Sequence, residues 1–483
     1  MSEANAATLL WLRRDLRLAD HPGWHAALEG GGPVIPVFIL DPIIEAAYGA
    51  APAWRLARSL EDLARRLEAR GSRLILRRGE AGTVLTTLLQ ETGARRIVWS
   101  RQYEAEARTR DTALKARFKA AGIDAVSVNA SLLFEPWDVA TKTGGFYKVY
   151  TPFWKSVQGA DLTAPLPEPG DLQAPESWPT SERLADWRLG APMHRGGAIV
   201  AQYAEIGEEA AHRRLSQFLG TASEAAVGRY KADRDRLDLD GTSRLSAALA
   251  SGEISPRILW HAGWDAARRV AGPAVDGATA FVSEIVWREF AYHLLYHTPH
   301  ITRRNWRPEW DGFPWAADSA EALCWRQGRT GIEVIDAAMR EMYVTGTMHN
   351  RSRMLVASFL TKHLLVDWRA GEAWFRDCLV DWDPASNAMG WQWAAGTGPD
   401  AAPYFRVFNP DTQAERFDPN RAYRDRWIAE GRRAPHADAL SYFDAVPRSW
   451  GLASDAPYPA PVIGLRAGRE RALDAYRRLR DAA

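Results

Sequence analysis

Short apolar runs alternate with helical patterns over the first part of the chain. Leucines with helical spacing fill residues 54–70, a second helical stretch covers 105–121, and Gly71 and Gly122 follow them as helix stops. The apolar runs between these stretches are short, bounded by Gly, Pro or charge, and lie at 8–12, 34–40, 73–76, 96–99 and 125–128. Such runs are typical of buried parallel strands. The pattern predicts an α/β domain with a doubly wound parallel sheet over residues 5–135.

The pattern changes after this domain. Residues 136–204 contain repeated prolines that oppose regular structure, and they predict an inter-domain linker. Helical periodicity dominates from about residue 205, without strand-like alternation. We therefore expect a larger all-helical domain over residues 205–478.

Two helix starts in the second half have specific signatures. Ser255 followed by Pro256 is expected to supply the N-cap and first turn of one helix. Thr330 and Glu333 form the T-x-x-E pattern of a capping box, and Gly346 is the expected stop of the helix that it opens.

Composition and charge narrow the class of protein. Hydrophobic residues make up 46% of the 483-residue chain and the net charge is +1, so a nucleic-acid partner would need a local basic patch. No apolar stretch is long enough to span a membrane. The first apolar run is followed by Arg13 and Arg14, which is not the order of a secretory signal, and we expect a cytoplasmic protein. Two cysteines cannot build a disulfide framework or a four-cysteine metal site, and we expect no metal.

Tryptophan is unusually abundant. The chain has 22 tryptophans, and twelve of them lie within residues 260–393. They could fill a large aromatic core, or their π-systems could stack on bases or carry electrons. Composition alone favours the core interpretation.

The segment DGTSRLS at 240–246 gathers hydroxyl groups, a guanidinium and backbone N–H groups at a predicted helix start. A helix N-terminus carries partial positive charge and unpaired donors, so this segment is a candidate cradle for a phosphate or pyrophosphate. An elaborate N-cap is the alternative. No GxGxxG follows the first strand, so the standard dinucleotide fingerprint is absent.

A second cluster lies within one predicted helix. Glu284, Trp287 and Arg288 share a face at i, i+3 and i+4. A solvated ion pair between Glu284 and Arg288 is one interpretation. The other is a pocket for a flat heterocycle, with the carboxylate accepting N–H groups and the indole stacking.

A third group combines two segments. Residues 348–354 place Arg351 and Arg353 near a predicted helix start, and residues 381–393 carry two carboxylates, two amides and three indoles. The carboxylates of Asp381 and Asp383 could be acid–base catalysts, metal ligands or partners of the two arginines.

Taken together and in order, these segments resemble the DNA photolyase/cryptochrome family. The resemblance rests on TSRLS, VSEIVWREF, MHNRSRM and DWDPASNAMGWQW, together with LWLRRDLRLADHP near the start, and it spans roughly residues 8–430. It implies a flavoprotein, most like a bacterial cyclobutane pyrimidine dimer photolyase. Such an enzyme splits dimers in DNA with an electron from photoexcited reduced FAD.

The resemblance also implies where FAD would bind. Arg353 and Asp381 would pair beside the isoalloxazine, and Asn387 would face the flavin N5. Light sensors of the family tend to carry Asp or Cys at this position, so Asn387 favours repair. The implied FAD contacts are Tyr230, Thr242, Ser243, Arg244, Leu245, Ser246, Arg353, Asp381, Asp383 and Asn387.

The same resemblance implies the contacts to damaged DNA. The lesion would meet Glu284, Trp287, Asn350, Met354 and Trp393, and the DNA strand would meet Arg234, Arg351 and Gln413. Relatives that repair the (6-4) photoproduct have histidines in place of Asn350 and Met354, so the cyclobutane dimer is the expected lesion.

Two further functions follow from the resemblance. Trp391, Trp368 and Trp315 match the family's electron-transfer relay. An antenna chromophore is expected against the α/β domain, with Glu106 and Tyr48 as contacts. Because Tyr48 and Ala105 replace the usual His and Asn of the folate site, we expect methenyltetrahydrofolate with altered contacts, and deazaflavin as the alternative.

Two other functions remain open at this stage. A cryptochrome-type photosensor shares the cofactor, but no long C-terminal extension follows the helical pattern that ends near Asp481. An adenine-nucleotide-binding transferase would explain the α/β half and the cradle, but not the tryptophans or Asn387. We expect a monomer whose partner is damaged DNA.

Overall fold

The computed structural model describes residues 6–220, 225–316, 318–400 and 406–481. Residue 5, the expected start of the α/β domain, lies outside these ranges, as do residues 401–405 that follow the DWDP segment. Within the described ranges, no helix has both the length and the apolar character to cross a membrane.

The first part of the chain forms the predicted parallel sheet. Its strands follow the order β3-β2-β1-β4-β5, all parallel, with bounds β1 Thr8–Leu12, β2 Val34–Leu40, β3 Ile75–Arg78, β4 Arg96–Ser100 and β5 Asp124–Val128. Helices on both faces are α1 Pro22–Leu28, α2 Pro42–Ala47, α3 Ala50–Glu68, α4 Ala81–Thr92 and α5 Ala105–Ala120. The predicted fold class is confirmed. Only β3 is displaced, by two residues, because its pairing with β2 begins at Ile75 rather than at residue 73.

The order of the strands places a topological switch between β1 and β4. In open parallel sheets, the crevice beyond the carboxyl ends of such a pair is the usual ligand position. Here Arg13 and Arg14 follow β1, and residues 101–104 follow β4. Arg14 forms an ion pair with Glu104 across the crevice, where the free volume is about 10 Å³.

The segment predicted as a linker packs against the sheet domain. It contains α6 Tyr150–Val157, α7 Gly196–Val200 and two single-turn helices at Leu184–Trp187 and Ala191–Met193. The backbone N–H of Glu182 donates to the Leu76 carbonyl, and the Leu76 N–H donates to the Ser181 hydroxyl, both at 2.9 Å. Its prolines therefore do not exclude regular structure, and the segment covers the edge strand β3, where it protects unpaired backbone groups.

The rest of the described chain is helical. Its helices are α8 Glu208–Leu219, α9 Ala226–Asp233, α10 Ser246–Ser251, α11 Pro256–Arg269, α12 Pro273–His297, α13 Ala320–Arg326, α14 Glu333–Thr345, α15 Asn350–Ser358, α16 Trp368–Cys378, α17 Pro384–Ala395, α18 Pro410–Phe417, α19 Ala422–Trp427, α20 Ala437–Ala445 and α21 Leu465–Asp481. A π-helical turn at Phe359–His363 leads from α15 towards α16.

The two predicted helix starts have different outcomes. Ser255 caps α11 by accepting the Arg257 N–H, as predicted. The capping box of Thr330 and Glu333 was wrong, because the N-cap of α14 is Ile332. The buried carboxylate of Asp336 accepts both the backbone N–H and the hydroxyl of Thr330, at 2.6 and 2.7 Å, and so takes the backbone N–H that Glu333 would accept in a capping box. Gly346 ends α14 in the left-handed conformation, as predicted.

Candidate functional site

The 240–246 loop leads directly into α10. Arg214 of α8 holds this loop by donating to the carbonyl oxygens of Ser243 and Thr242, at 2.9 and 2.7 Å. Arg244 has a left-handed backbone (φ 52°) and an exposed guanidinium, which pairs with Asp240 at 2.9 Å. The sequence did not indicate Arg214, because it lies some thirty residues before the loop that it fixes. Whether Thr242, Ser243, Arg244, Leu245 and Ser246 hold a pyrophosphate stays a prediction.

Arg353 and Asp381 form the predicted ion pair, at 2.7 Å between Nη2 and Oδ2. Arg353 is fixed further by donating from Nε to the Met348 carbonyl. Asp381 is buried, and its other oxygen, Oδ1, has no hydrogen-bond partner among the described residues. A buried carboxylate oxygen requires a donor, so this atom points to a ligand at the pair.

Asp383 has a different role from the arginine pairing considered above. Its carboxylate caps α17 by accepting the N–H groups of Ala385 and Ser386, and it also accepts the Tyr292 hydroxyl at 2.6 Å. Arg351 pairs instead with Asp235, at 2.6 Å. Asp383 therefore fixes the start of the helix that carries Asn387.

The amide of Asn387 is held by a residue that the sequence did not indicate. Its Nδ2 donates to the carboxylate of Glu372 at 2.9 Å, and burial raises the pKa of Glu372. With the nitrogen committed to Glu372, the carbonyl oxygen is the atom left for another donor. Glu372 lies on α16, 15 positions before Asn387, so no local pattern connects the two.

His349 lies between the cradle and the ion pair, and it too was missed. Its Nδ1 accepts the Arg351 N–H and caps α15. Burial lowers the pKa of His349 to about 4, and nearby Arg244 and Arg353 act in the same direction. The imidazole is therefore neutral at neutral pH, and these arginines lie close to one another although more than 100 residues separate them.

The second predicted cluster is arranged differently from the i, i+4 interpretation. Glu284 pairs with Arg234 of the chain after α9 rather than with Arg288. Arg288 donates to the Ser131 carbonyl at 2.7 Å and contacts Glu289. Burial raises the pKa of Glu284, and Arg234 opposes this shift. The solvated Glu284–Arg288 pair is thus wrong, because both side chains have partners on other elements.

The remaining predicted DNA contacts have mixed environments. Asn350 is exposed at the first position of α15, and Met354 follows one turn later, half-buried. Trp393 is half-buried on α17, and Gln413 is half-buried on α18. Arg234 and Arg351 already have carboxylate partners, so a phosphate would have to compete for them, and their role as DNA contacts stays a prediction.

Tyr230 is buried on α9, and its ring packs against Phe218 and Phe281 at centroid distances of 5.7 and 6.0 Å. Burial raises the pKa of its hydroxyl well above the ordinary value. The side chain is therefore an uncharged aromatic wall near Arg234, whose guanidinium lies 5.5 Å from the ring centre.

The three predicted relay tryptophans lie in or against the core of the helical half. Trp391 packs on Gly371 of α16, where an added Cβ would lie 2.1 Å from the indole. Trp368 begins α16 one turn earlier, fully buried, and its N–H donates to Asn305 at 2.9 Å. Trp315 is half-buried beside Phe313. Two of the indoles are buried and one is half-buried, and electron transfer through them stays a prediction.

The two predicted antenna contacts have unlike surroundings. Tyr48 packs edge-on against Trp382 with ring centres 5.7 Å apart, and burial raises the pKa of its hydroxyl. Glu106 is exposed at the start of α5 and pairs with Arg303 at 2.7 Å. A shared antenna site at these residues stays a prediction.

The fold and site define a two-part protein whose helical half can hold a cofactor. The model of the FAD binding domain of DNA photolyase matches residues 281–478, and the DNA photolyase model matches residues 8–170. A deoxyribodipyrimidine photo-lyase of Agrobacterium fabrum is 43% identical over 481 residues, 99% of this chain and 98% of that protein. The chain belongs to the DNA photolyase family, which replaces the transferase interpretation.

Two further relatives place the chain within this family. The crystal structure of a bacterial class III photolyase from Agrobacterium tumefaciens matches with a TM-score of 0.89 and 41% identity, and covers 99% of this chain and 98% of that one. Cryptochrome-1 of Arabidopsis thaliana is 32% identical in an alignment of 490 positions that covers 98% of this chain and 70% of that protein. The photo-lyase is thus the nearer of the two named relatives in sequence.

FAD is the cofactor of this domain, and the residues present suit it. The unpartnered Oδ1 of Asp381 can accept an N–H or hydroxyl, and the buried Nε1 of Trp391 also has no partner in the described part of the chain. Both atoms are polar, buried and in need of a partner, as the lining of a cofactor site is.

Proposed function

We propose that the protein is a deoxyribodipyrimidine photo-lyase that splits cyclobutane pyrimidine dimers in DNA by light-driven electron transfer. The observation that carries this function is the full-length similarity to proteins of that name, 43% identical over 99% of the chain. The bound flavin supplies the electron. The chain's own residues bind and orient the cofactor and the lesion, and they exclude water from the site.

The FAD side of the site is assigned to the helical half. Asp381, held by Arg353, is expected to accept a hydrogen bond from the cofactor, and Asp383 fixes the start of α17. Glu372 orients Asn387 so that the Asn387 carbonyl oxygen can accept a hydrogen bond from a protonated flavin nitrogen. The amide does not change its charge when it does so.

The lesion side is assigned to Glu284 and Trp287 on α12, with Asn350, Met354 and Trp393 opposite. A flipped dimer is large and flat, and it needs a stacking surface together with an acceptor for its N–H groups. Glu284 supplies the acceptor in a half-buried position, and its pair with Arg234 opposes the increase in its pKa that burial causes. Removing that carboxylate would leave the polar edge of the lesion unpaired.

For the antenna we retain methenyltetrahydrofolate. Deazaflavin, the alternative, is a flat ligand of the kind that binds at the switch point of a parallel sheet. That crevice has only about 10 Å³ of free volume and is crossed by the Arg14–Glu104 ion pair. A flavin-sized or pterin-sized ring bound there would have to displace these side chains, so this crevice does not distinguish the two chromophores. We also expect a cytoplasmic monomer.

The test uses purified protein with its flavin reduced by dithionite. A duplex with one thymine dimer is incubated with the protein in blue light or in the dark, and intact thymines are counted after digestion. Light-dependent loss of the dimer is expected. Flavin-loaded protein that leaves the dimer intact in light would contradict repair and favour the photosensor. Repair of a duplex with a (6-4) photoproduct instead would make that photoproduct the substrate.

A further inference from the structure

Trp287 is in close face-to-face contact with Tyr150. The ring centres are 3.6 Å apart and the planes differ by 10°, so the two rings overlap almost completely. Tyr150 is the first residue of α6, in the segment predicted as a linker, and its side chain is buried. Trp287 is half-buried on α12. One face of the indole is therefore covered by the tyrosine ring.

The hydroxyl of Tyr150 is bound to the same helix. It donates to the Ser283 carbonyl at 2.6 Å and lies 2.7 Å from the Ser283 hydroxyl. Ser283 lies one turn before Trp287, on the same face of α12. Tyr150 thus contacts this face at two points, with its ring on the indole and its hydroxyl on Ser283.

Phe290 closes the group from the side. Its ring is edge-on to both Tyr150 and Trp287, with centroid distances of 5.8 Å in each case. A parallel neighbour on one face and an edge contact beside it restrict rotation of the indole. Edge-on pairs such as those of Phe290 contribute beyond simple burial.

We propose that Tyr150 is a positioning residue for lesion recognition, which holds the Trp287 indole so that only its other face can stack on a pyrimidine ring of the dimer. This inference rests on the proposed function, because it assumes that the lesion meets Trp287. An indole fixed before DNA arrives loses less conformational freedom on binding than a mobile one. The gain is specific to stacking, so intact DNA, whose bases stay in the helix, is bound without it.

The test is a double-mutant cycle of Tyr150→Leu and Trp287→Ala, measured in the dark. The readout is the ratio of dissociation constants for an intact duplex and the same duplex with one dimer. Tyr150→Leu should lower this ratio about 2- to 12-fold, the range of an aromatic pair, and Tyr150→Phe should restore most of it because the ring remains. In the Trp287→Ala background, Tyr150→Leu should have no further effect, because the indole it positions is gone.

A matched control lies on the same helix. Trp154 of α6 stacks on Trp264 of α11, with ring centres 6.4 Å apart and planes 12° apart, and it does not touch α12 through this contact. Trp154→Leu removes a ring of the same helix that is parallel to its neighbour at a larger distance, and it should leave the ratio unchanged. Flavin content and thermal stability of each variant separate loss of folding from loss of positioning.

The outcomes distinguish this inference from the proposed function. A lowered ratio in Trp287→Ala with an unchanged ratio in Tyr150→Leu would overturn the role of Tyr150 alone. Equal further losses from Tyr150→Leu with and without Trp287 would also overturn it, since the tyrosine would then act on something else. An unchanged ratio in Trp287→Ala would overturn the lesion assignment itself, and the positioning role with it.

Discussion

The two halves of the molecule each gather charged side chains beside a surface where a ligand could bind, and they differ in what those charges contact. In the α/β half, the crevice between β1 and β4 is crossed by the Arg14–Glu104 ion pair and has about 10 Å³ of free volume. In the helical half, Asp381 pairs with Arg353 through one oxygen and leaves the other, buried, without a partner among the described residues.

This difference shows that fold alone does not locate the ligand. A parallel sheet with a switch point predicts a site at its carboxyl edge. Here the Arg14–Glu104 ion pair crosses that edge, and Nε and Nη2 of the buried Arg13 beside it also lack partners among the described residues. The Arg13 atoms are donors, whereas the unpartnered Oδ1 of Asp381 is an acceptor that lies within residues 281–478, which the FAD binding domain model matches. The cofactor is therefore assigned to the helical half.

The largest effect should come from exchanging one buried tryptophan in each half for phenylalanine. Trp391→Phe should abolish photoreduction of oxidised flavin by an external thiol, because phenylalanine is far harder to oxidise than indole at similar volume. Trp99→Phe, which alters the buried Trp99 of β4, should leave photoreduction intact. The rate is followed by flavin absorbance under blue light.

A second assay distinguishes loss of the electron relay from a folding defect. Trp391→Phe protein reduced with dithionite should still repair dimers, since repair does not use the relay. If both activities were lost with flavin retained, Trp391 would belong to the catalytic pocket. If neither were lost, another tryptophan would carry the current.

The next effect concerns the two ion pairs. Asp381→Asn keeps the shape but removes the charge that accepts from the cofactor, and it should weaken FAD retention by about 1.5–3 kcal/mol, roughly 10- to 150-fold. Glu104→Gln makes the same chemical change in the crevice and should leave FAD retention unchanged. Flavin per chain after dialysis is the measurement. Equal flavin loss in both variants would mean that the pairs act through overall stability.

The sequence predicted the sheet, its strand positions and the helical half, because these depend on local hydrophobic period and on turn residues. It also indicated the Arg353–Asp381 ion pair, whose residues lie in the short segments 348–354 and 381–393, while the other site residues stay predictions. It missed Arg214, Glu372 and His349, whose contacts join segments far apart in the chain. Single side chains of ordinary type carry no local signal of a distant partner.

The errors have a similar cause. Glu284 and Arg288 have the spacing of an ion pair, but each binds a residue of another element instead. Glu284 pairs with Arg234, and Arg288 donates to the Ser131 carbonyl. The capping box failed because Asp336, four positions beyond the N-cap, accepts the donors of Thr330. The linker prediction for residues 136–204 is not among these errors and stays a prediction, and its prolines also suit a segment that covers a sheet edge.

A smaller effect tests the lesion side of the helical site. Glu284→Gln should lower affinity for dimer-containing DNA by about 1.5 kcal/mol, roughly tenfold, the low end for a charged acceptor because the side chain is half-exposed. Asp276→Asn changes an exposed carboxylate at the start of the same helix and should have no effect. Both variants should keep their flavin. Binding is measured in the dark by titration of a labelled duplex. Equal affinities of Glu284→Gln and the parent would show that Glu284 does not contact the lesion.

The last effect is on stability rather than on ligand binding, and it concerns the junction of the two halves, where Glu289 of α12 accepts the backbone N–H of Leu133 at 2.7 Å. Burial raises the pKa of Glu289 from 4.5 to about 7, against the opposing charge of Arg288. Between pH 4.5 and 7 the folded state thus binds more protons than the unfolded state, and the free energy of unfolding falls as the pH rises through this window.

Glu289→Gln lacks this titration, so its stability relative to the parent should increase from pH 5 to pH 8, by about 1–3 kcal/mol, and level off above pH 7. Burial lowers the pKa of His293, His349 and His363 to about 4, and their titration raises stability with pH up to about 6.5. Because the histidines titrate in both proteins, they cancel in the difference between the two. Thermal unfolding at pH 5, 6, 7 and 8 measures this difference. A difference that stays constant across the series would mean that Glu289 keeps its charge throughout, and that the junction is open to water where the structure shows it buried.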